Sequence, residues 1–502
     1  MKQFQSSWAV FLSLIALSLW VIFEFYTENA LEDALITYRY AENLAQGKGY
    51  AFFPDVWVQG TTTPLFTLLL AMVGLVFGSE AIWPASDVLN ILFGCGAALL
   101  TARIVWKWTG NSIMAYISIP LLLFNPSFLW AGTGGMETIL VVFMMALSGD
   151  LFLRKRYLAT AIVAALLVLT RIDGLVWSGL LFLAVAKEKP KRALIGAGIG
   201  SALLLSWFFW AWSVFGSPLP HSVMAKSIIR PLALQGSVFE LQHILKWTKS
   251  TMLQWSAISA GIPIGLLAFG VGVKEILATK KTLQYVFLVY AVVFPFLFFV
   301  RKAPFFAWYM VPLCWVGLVI GLAGLNALVQ RWRQPRLKWL IGVILFFCFV
   351  LRIVPKFQEF KLLQENEVSL RAKVGKWLEA NTPDGAQVAM EAIGYQGYYA
   401  HRPVVDIAGL ISPEVLKLVD APYRGGVVFQ RILREIQPDY LVLRAFEIEN
   451  NQHLHGGALF PNSEDQAYFE HYYRLEKSFE AKHKSFWGKN AVLNVYKRQI
   501  LP

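Results

Sequence analysis

Apolar runs of near-membrane length, separated at every second break by lysine- and arginine-rich connections, leave this chain few folds to choose from. Crossing ~30 Å of hydrocarbon takes about 20 apolar residues as a helix. Only helices and closed barrels satisfy their backbone polar groups there. About eleven runs approach the required length: 8–25, 85–106, 112–130, 136–153, 157–170, 174–186, 193–215, 252–272, 282–300, 307–328 and 338–355. The basic connections are Arg103/Lys107, Arg154-Lys155-Arg156, 187–192, 274–281 and 331–338. Short loops rich in Lys and Arg stay in the cytoplasm. Lys2 and all five connections are therefore expected inside, and the alternate loops outside. No small-x-small cleavage site precedes Asp33, so 8–25 reads as an uncleaved first span.

A composition of 57% hydrophobic and 15% charged residues excludes a soluble fold of this length. The net charge of +13 is accounted for by the cytoplasmic loops, and no recognition motif points to nucleic acid. Cys95, Cys314 and Cys348 all lie inside apolar runs and read as small core residues. One run breaks the alternation. Residues 64–78 are apolar but number only 15, and counting them as a span would reverse every later loop. A run this short fits the interface, so it is assigned to the outer leaflet, within a large first outer loop at 27–84.

Near residue 356 the composition becomes mixed polar. Helical periodicity covers 362–380, strand-like segments follow at 388–393, 403–407, 440–444 and 491–496, and a helix is expected at 427–436. The expected fold class is a polytopic α-helical membrane protein, N-terminus inside, over 1–355, with an extracytoplasmic α/β domain over 356–502.

The unusual polar groups lie on the expected outer side. Glu32, Asp33, Arg39, Glu42 and Asp55 form a charged island after the first span. Asp33 opens an expected helix, where an acid also serves the helix dipole. Asp33, Thr37 and Tyr40 fall at i, i+4 and i+7, which puts a carboxylate and two hydroxyls on one face. Such a face suits a sugar. Glu137, Arg171 and Asp173 sit at outer span ends, either as a packing pair or as part of a sugar site. His221 reads as a loop hydrogen-bonder. Lys226, Arg301 and Lys302 are cations where the positive-inside rule does not call for them, and they suit a lipid phosphate. Trp308 and Tyr309 beside them read as interfacial aromatics or neighbours of that phosphate. No phosphate-binding loop and no Asp-x-Asp pair occurs, which counts against a nucleotide-linked donor. His453 and His455 read as a solvated loop. A carboxylate-rich outer loop also suits a divalent metal, and the sequence leaves that open.

Six stretches then carry a resemblance, in chain order: EDALITYRYAENLAQGKGY, VQGTTTPL, TGGMETIL, TRIDGL, GSPLPHSVMAK and AIGYQGYYAHRPVVDIAGLISPEV. They resemble the GT-C membrane glycosyltransferases, in particular the bacterial branch of arabinofuranosyltransferases and mannosyltransferase-like relatives. The resemblance implies transfer of a sugar from a polyprenyl-phosphate-linked donor to an acceptor hydroxyl on a glycan, lipid or protein. The reaction would occur at the extracytoplasmic face of the inner membrane. Asp33 matches the family's motif and carries over as general base. Thr37, Tyr40, Glu137, Arg171, Asp173 and His221 are then expected at the sugar, and Lys226, Arg301, Lys302 and Tyr309 at the donor phosphate. The chain departs from the family at Glu32, where an aspartate is usual, and at Gln59, Ile172 and His221, where glutamate, proline and asparagine are usual. A lipid-linked glycan flippase or an envelope-assembly scaffold is the alternative from another class.

Overall fold

The structure, a computed structural model, describes residues 2–27, 30–54, 56–233, 261–300, 305–331, 358, 360–420, 424–453, 457–484 and 490–499. The expectations at Asp55, Arg301, Lys302, His455, the start of 252–272 and the run 338–355 lie outside the described residues.

Each apolar run within the described residues forms helix. α1 spans Lys2–Thr27, α2 Glu32–Ala45, α3 Pro64–Phe77 and α4 Ile82–Thr109. α5 covers Ser112–Leu123, α6 Pro126–Gly132, α7 Thr138–Leu153, α8 Tyr157–Thr170, α9 Leu175–Glu188, α10 Pro190–Phe215 and α11 His221–Ala233. Further helices are Gly261–Thr279, Thr282–Val300 and Ala307–Arg331. The count of about eleven spans is not reproduced by length alone. Among the described residues, four helices are long and apolar enough to cross a membrane, or five if α5 and α6 are one broken span. The expected run 112–130 bends by 58° at that break. Asn125 there caps α6, accepting from the Ser127 and Phe128 amides at 3.0 and 3.3 Å. Pro126, which has no N–H to offer α5, starts the new helix. α3 is only 14 residues long, too short to span.

The helix bundle has two chemically distinct ends. At one end Asp150 accepts from Arg103 at 3.2 Å and pairs with Arg154, whose Nε lies 2.7 Å from Oδ2, and the Tyr157 hydroxyl donates to Glu188 at 2.7 Å. At the other end lie α2, Glu137, Arg171 and the C-terminal domain.

α2 is the buried centre of that second end. Its residues Ala34–Ala41 and Asn43 are all buried. Ala34, Leu35, Tyr38 and Ala41 pack with Phe66 and Leu70 of α3 and with Tyr395 of the C-terminal domain. Ile36 and Tyr40, on another face, join Tyr50 and Phe52 in a core with Leu370, Val374, Val388 and Val442 of the same domain. The segment between α1 and α4 thus fills the space between bundle and domain.

The domain is built on a five-stranded sheet in the order β2-β1-β3-β5-β4. β1 is Val388–Met390, β2 Val404–Asp406, β3 Tyr440–Arg444, β4 Tyr473–Lys484 and β5 Asn490–Arg498. β1 pairs parallel with β2 and β3, while β5 runs antiparallel to β3 and β4. Period-2 alternation divides the strands: Val388, Met390, Tyr440, Val442 and Val495 face α2, while Ala389, Leu441, Leu443 and Tyr496 face a second core with Phe429, Ile432 and Phe469. The expected helix at 427–436 appears as Gly425–Arg431 continued by a wider turn, Ile432–Ile436. β4 was not expected from the sequence. Its residues YRLEKSFEAKHK are charged along an edge, a composition that guards an edge strand against pairing with other chains. His453 also departs from expectation. It is 3% exposed, beneath Gly425, instead of lying in a solvated loop.

The domain comes close to the loop at Gly394, where an added Cβ would fall on the Glu32 carbonyl oxygen. Gly394→Ala therefore forces backbone apart at this seam. The expected outcome is a loss of about 1–3 kcal/mol, the usual cost of overpacking, read as a lower thermal midpoint in detergent. An unchanged midpoint would show that the seam yields freely.

Candidate active site

A glycine-rich turn sets the first pair of carboxylates. Leu31 N–H donates to the Gly134 carbonyl at 2.8 Å, and the hydroxyls of Tyr38 and Ser86 donate to the Gly135 carbonyl at 3.1 and 2.9 Å. Gly135 has φ +67°, and a Cβ there would strike the Tyr38 hydroxyl, so the position demands glycine twice over. The turn 133–136 is thereby stitched to α2, and the next residue, Glu137, is brought near Asp33. The two carboxylates sense each other electrostatically.

Arg171 is the hub behind them. It is 3% exposed and grips Asp173 in a fork, Nε to Oδ1 at 2.6 Å and Nη2 to Oδ2 at 2.9 Å. Its Nη1 lies 3.6 Å from Glu137 Oε1 and donates to Thr138 Oγ1 at 3.5 Å. Its guanidinium lies over the Tyr309 ring at 5.1 Å. Burial pushes the Glu137 carboxyl above the ordinary carboxylate range, and Arg171 pulls it back. Burial works against the Arg171 charge, but Asp173 and Glu137 outweigh it and hold the guanidinium protonated. Asp33, by contrast, is half-buried and makes no hydrogen bond or ion pair among the described residues.

An aromatic chain links this group to the next cation. Tyr309 contacts Trp308, which stacks on Phe306 at 4.5 Å, and Lys226 Nζ lies 5.2 Å from the Phe306 ring centre. Trp308 also packs against the core formed by Ala30, Ala34 and Leu35. Lys226, Tyr309, Arg171, Glu137 and Asp33 are therefore gathered at one end of the bundle.

The other expected residues have different surroundings. Thr37 is buried in a ring of hydroxyls with Thr61 and Thr63, with separations of 3.1–3.3 Å. Tyr40 is fully buried, and its hydroxyl donates to the Val58 carbonyl and accepts from Gly60 N–H at 2.7 Å. Tyr40 shares the helical face of Asp33, and its hydroxyl holds the loop 58–60 in place. His221 donates its backbone N–H to the Gln59 carbonyl at 2.8 Å. Burial lowers its imidazole below the ordinary range, and nearby Glu414 of the C-terminal domain opposes that shift. His221 thus sits at the seam with the domain, apart from the Arg171 group.

Three features had no sequence signal strong enough to find them. Arg371, from the C-terminal domain, donates to Glu32 at 3.0 Å and also pairs with Glu367 at 3.1 Å. Burial pushes Glu367 up to about 7. Glu24, a carboxylate buried near the end of α1, is pressed by Gly132 and senses Asp87. Asp406 closes the turn after β2 by accepting from the amides of Ala408, Leu410 and Ile411 at 3.0, 2.5 and 3.2 Å. Among the described residues, no group of three or more His, Cys, Asp or Glu side chains converges as a metal site.

The domain model described as "Domain of unknown function (DUF8728)" matches residues 358–496. A sequence search among curated proteins finds no significant match. By structure the chain is similar to ArnT from Cupriavidus metallidurans bound to undecaprenyl phosphate, with TM-score 0.59, 12% identity, and coverage of 97% of this chain and 98% of that one. It is also similar to the apo state of the same protein, with TM-score 0.56, 13% identity and the same coverage. At these identities the likeness establishes the fold, from the first helix through the C-terminal domain.

Removing the hub cation tests the arrangement. Arg171→Gln leaves buried Glu137 and half-buried Asp173 without their partner, and the expected loss is about 3–5 kcal/mol of stability. Thermal unfolding in detergent measures it, and a loss below about 1 kcal/mol would show the group is well hydrated.

Proposed function

We propose that this protein is a membrane glycosyltransferase that moves a sugar from a polyprenyl-phosphate-linked donor to an acceptor hydroxyl, with Asp33 as general base. The observation that carries the reading is the unpartnered Asp33 carboxylate set against the Glu137–Arg171–Asp173 group, at the bundle end that also carries Lys226 and the C-terminal domain. A fold shared over nearly its whole length with a protein crystallised with undecaprenyl phosphate supports the donor class.

The chemistry is a single displacement. Asp33 takes the proton of the acceptor hydroxyl as that oxygen forms a bond to the anomeric carbon. The bond from that carbon to the phosphate oxygen breaks, and polyprenyl phosphate leaves with the electron pair. Phosphate is a good leaving group, so the second carboxylic acid of glycoside hydrolases is not needed. Lys226, with Arg301 and Lys302, would offset the charge gathering on the phosphate. Arg171 is already held by two carboxylates, so its task is to fix Glu137 and Asp173 where they line the sugar. The acceptor is a hydroxyl of a glycan, lipid or protein, and the site faces the extracytoplasmic side, a reading that the alternation of basic loops supports.

Transport without chemistry is a weaker reading. A path for a charged headgroup needs polar groups across the bilayer. Among the described residues, the buried charged side chains of the bundle, Glu24, Glu137, Asp150 and Arg171, lie at or near helix ends.

The test is purified protein in detergent with synthetic undecaprenyl-phosphate-linked pentoses and hexoses, following release of undecaprenyl phosphate. Asp33→Asn is expected to bind undecaprenyl phosphate as the parent does and to lose roughly 10²–10⁴-fold in transfer rate. Near-normal transfer by this variant overturns the assignment of the base.

A further inference from the structure

Glu32 and Asp33 are adjacent carboxylates in the first turn of α2, and successive side chains on a helix point about 100° apart. They therefore answer to different partners. Asp33 lies close enough to Glu137 to act on its charge, and Glu137 is itself partnered by Arg171. Glu32 faces the C-terminal domain, where Arg371 Nη1 donates to its Oε2 at 3.0 Å. The same guanidinium holds Glu367 at 3.1 Å and senses Glu391.

The start of α2 has no cap of its own. The residue before it is Leu31, which offers no side-chain acceptor to the free amides. What fixes the entry comes from elsewhere in the chain. Tyr395 donates its hydroxyl to the Ala30 carbonyl at 2.9 Å, and Gly394 presses on the Glu32 carbonyl. On the opposite side Leu31 N–H is held by Gly134. The C-terminal domain thus grips the residues at 30 and 32, immediately before the proposed base.

We infer that Arg371 is a positioning residue: through its ion pair with Glu32 it sets the rotation of the first turn of α2 and hence the aim of Asp33. This rests on the reading of Asp33 as general base. It gives the C-terminal domain a direct part in the chemistry without contact with the reacting atoms. The charge at the seam makes Arg371 hard to replace. Among the described residues, Glu32 and Glu367 pair there with Arg371, and Glu391 and Glu447 with Arg444. Without Arg371, Glu32 loses the ion pair that ties it to the domain, one residue before Asp33.

The experiment uses the full chain in detergent, with the member of the undecaprenyl-phosphate-linked sugar panel that the parent turns over. Arg371→Gln is expected to lower kcat roughly tenfold to a hundredfold, as small misplacements of a reacting group do, with undecaprenyl phosphate binding within about twofold of the parent. The acid limb of its rate–pH profile is expected at higher pH, because an uncompensated Glu32 disfavours a second negative charge one residue away. Glu137, Arg171 and Asp173, which face Asp33 from the other side, are the same in both proteins. Glu32→Gln cuts the same tie without touching the domain, and its kcat is expected to fall comparably. The double variant Glu32→Gln/Arg371→Gln is expected to match either single variant in kcat and to return the acid limb to the parent position. A role confined to domain stability would give additive losses and no movement of the limb, and either result overturns the inference. So does parent-like kcat in both single variants while Asp33→Asn is inactive, and in that case the base assignment stands. Near-normal transfer by Asp33→Asn removes the base and this inference together.

Discussion

The burial of α2 between the helix bundle and the C-terminal domain is the constraint on which the rest of this structure depends. A helix that bears Glu32, Asp33, Arg39 and Glu42 is a poor candidate for burial, since each charge must find a partner or keep a path to water. Arg39 pairs with Glu42 at 2.9 Å on the helix itself, and Glu32 is paired by the domain. Asp33 alone keeps a carboxylate without such a partner among the described residues. The apolar residues between them, Ala34, Leu35, Ile36, Tyr38 and Ala41, pack on both sides. Removing the domain would expose that surface, so the domain is part of the core at this end of the molecule.

The same packing explains why three carboxylates close in space have distinct chemical fates. Asp173 is gripped by a fork, and a forked guanidinium–carboxylate pair is strong and directional. Glu137 is more deeply buried and more loosely held, at 3.6 Å from the same guanidinium. Asp33 is half-buried and, among the described residues, makes no ion pair. Differences in environment among neighbouring acids divide labour between them, and here that division follows from where the 133–136 turn and the Arg171 backbone place each group.

What was legible in the sequence is what depends on neighbours along the chain. The apolar runs, the basic connections and the helix at Asp33 are local patterns, and each appears as helix or helix end where the structure describes it. The ion pair of Arg171 with Asp173 is two residues long and was equally open to inspection. Partnerships made across the fold were not. Arg371 lies 339 residues from Glu32, and nothing in either segment names the other. Tyr40 shows the limit of periodicity. Its place seven residues after Asp33 gives the correct helical face, but loop 58–60 lies against that position and uses the hydroxyl. β4 was missed because a charged edge strand lacks the alternation that marks a half-buried one, and 112–130 was read as one span because hydropathy weighs Pro126 lightly and Asn125 as only one polar residue.

The orientation of the C-terminal sheet narrows what that domain can do. In open parallel sheets, ligands bind beyond the carboxyl ends of the strands, where the strand order reverses. Here β1 is flanked by β2 and β3, so the reversal lies between β1 and β3. At that point Glu391, just after β1, meets Arg444, the last residue of β3, at 4.0 Å. Arg444 also receives the Glu447 carboxylate at its own amide, at 3.0 Å. The turn after β2, closed by Asp406, brings Ile411 against Gly60 of the first loop. The crevice that such a sheet offers to a ligand therefore opens toward α2, loop 58–60 and His221. This end of the sheet is thereby spent on docking the domain against the first loop and the start of α2 that carries Asp33.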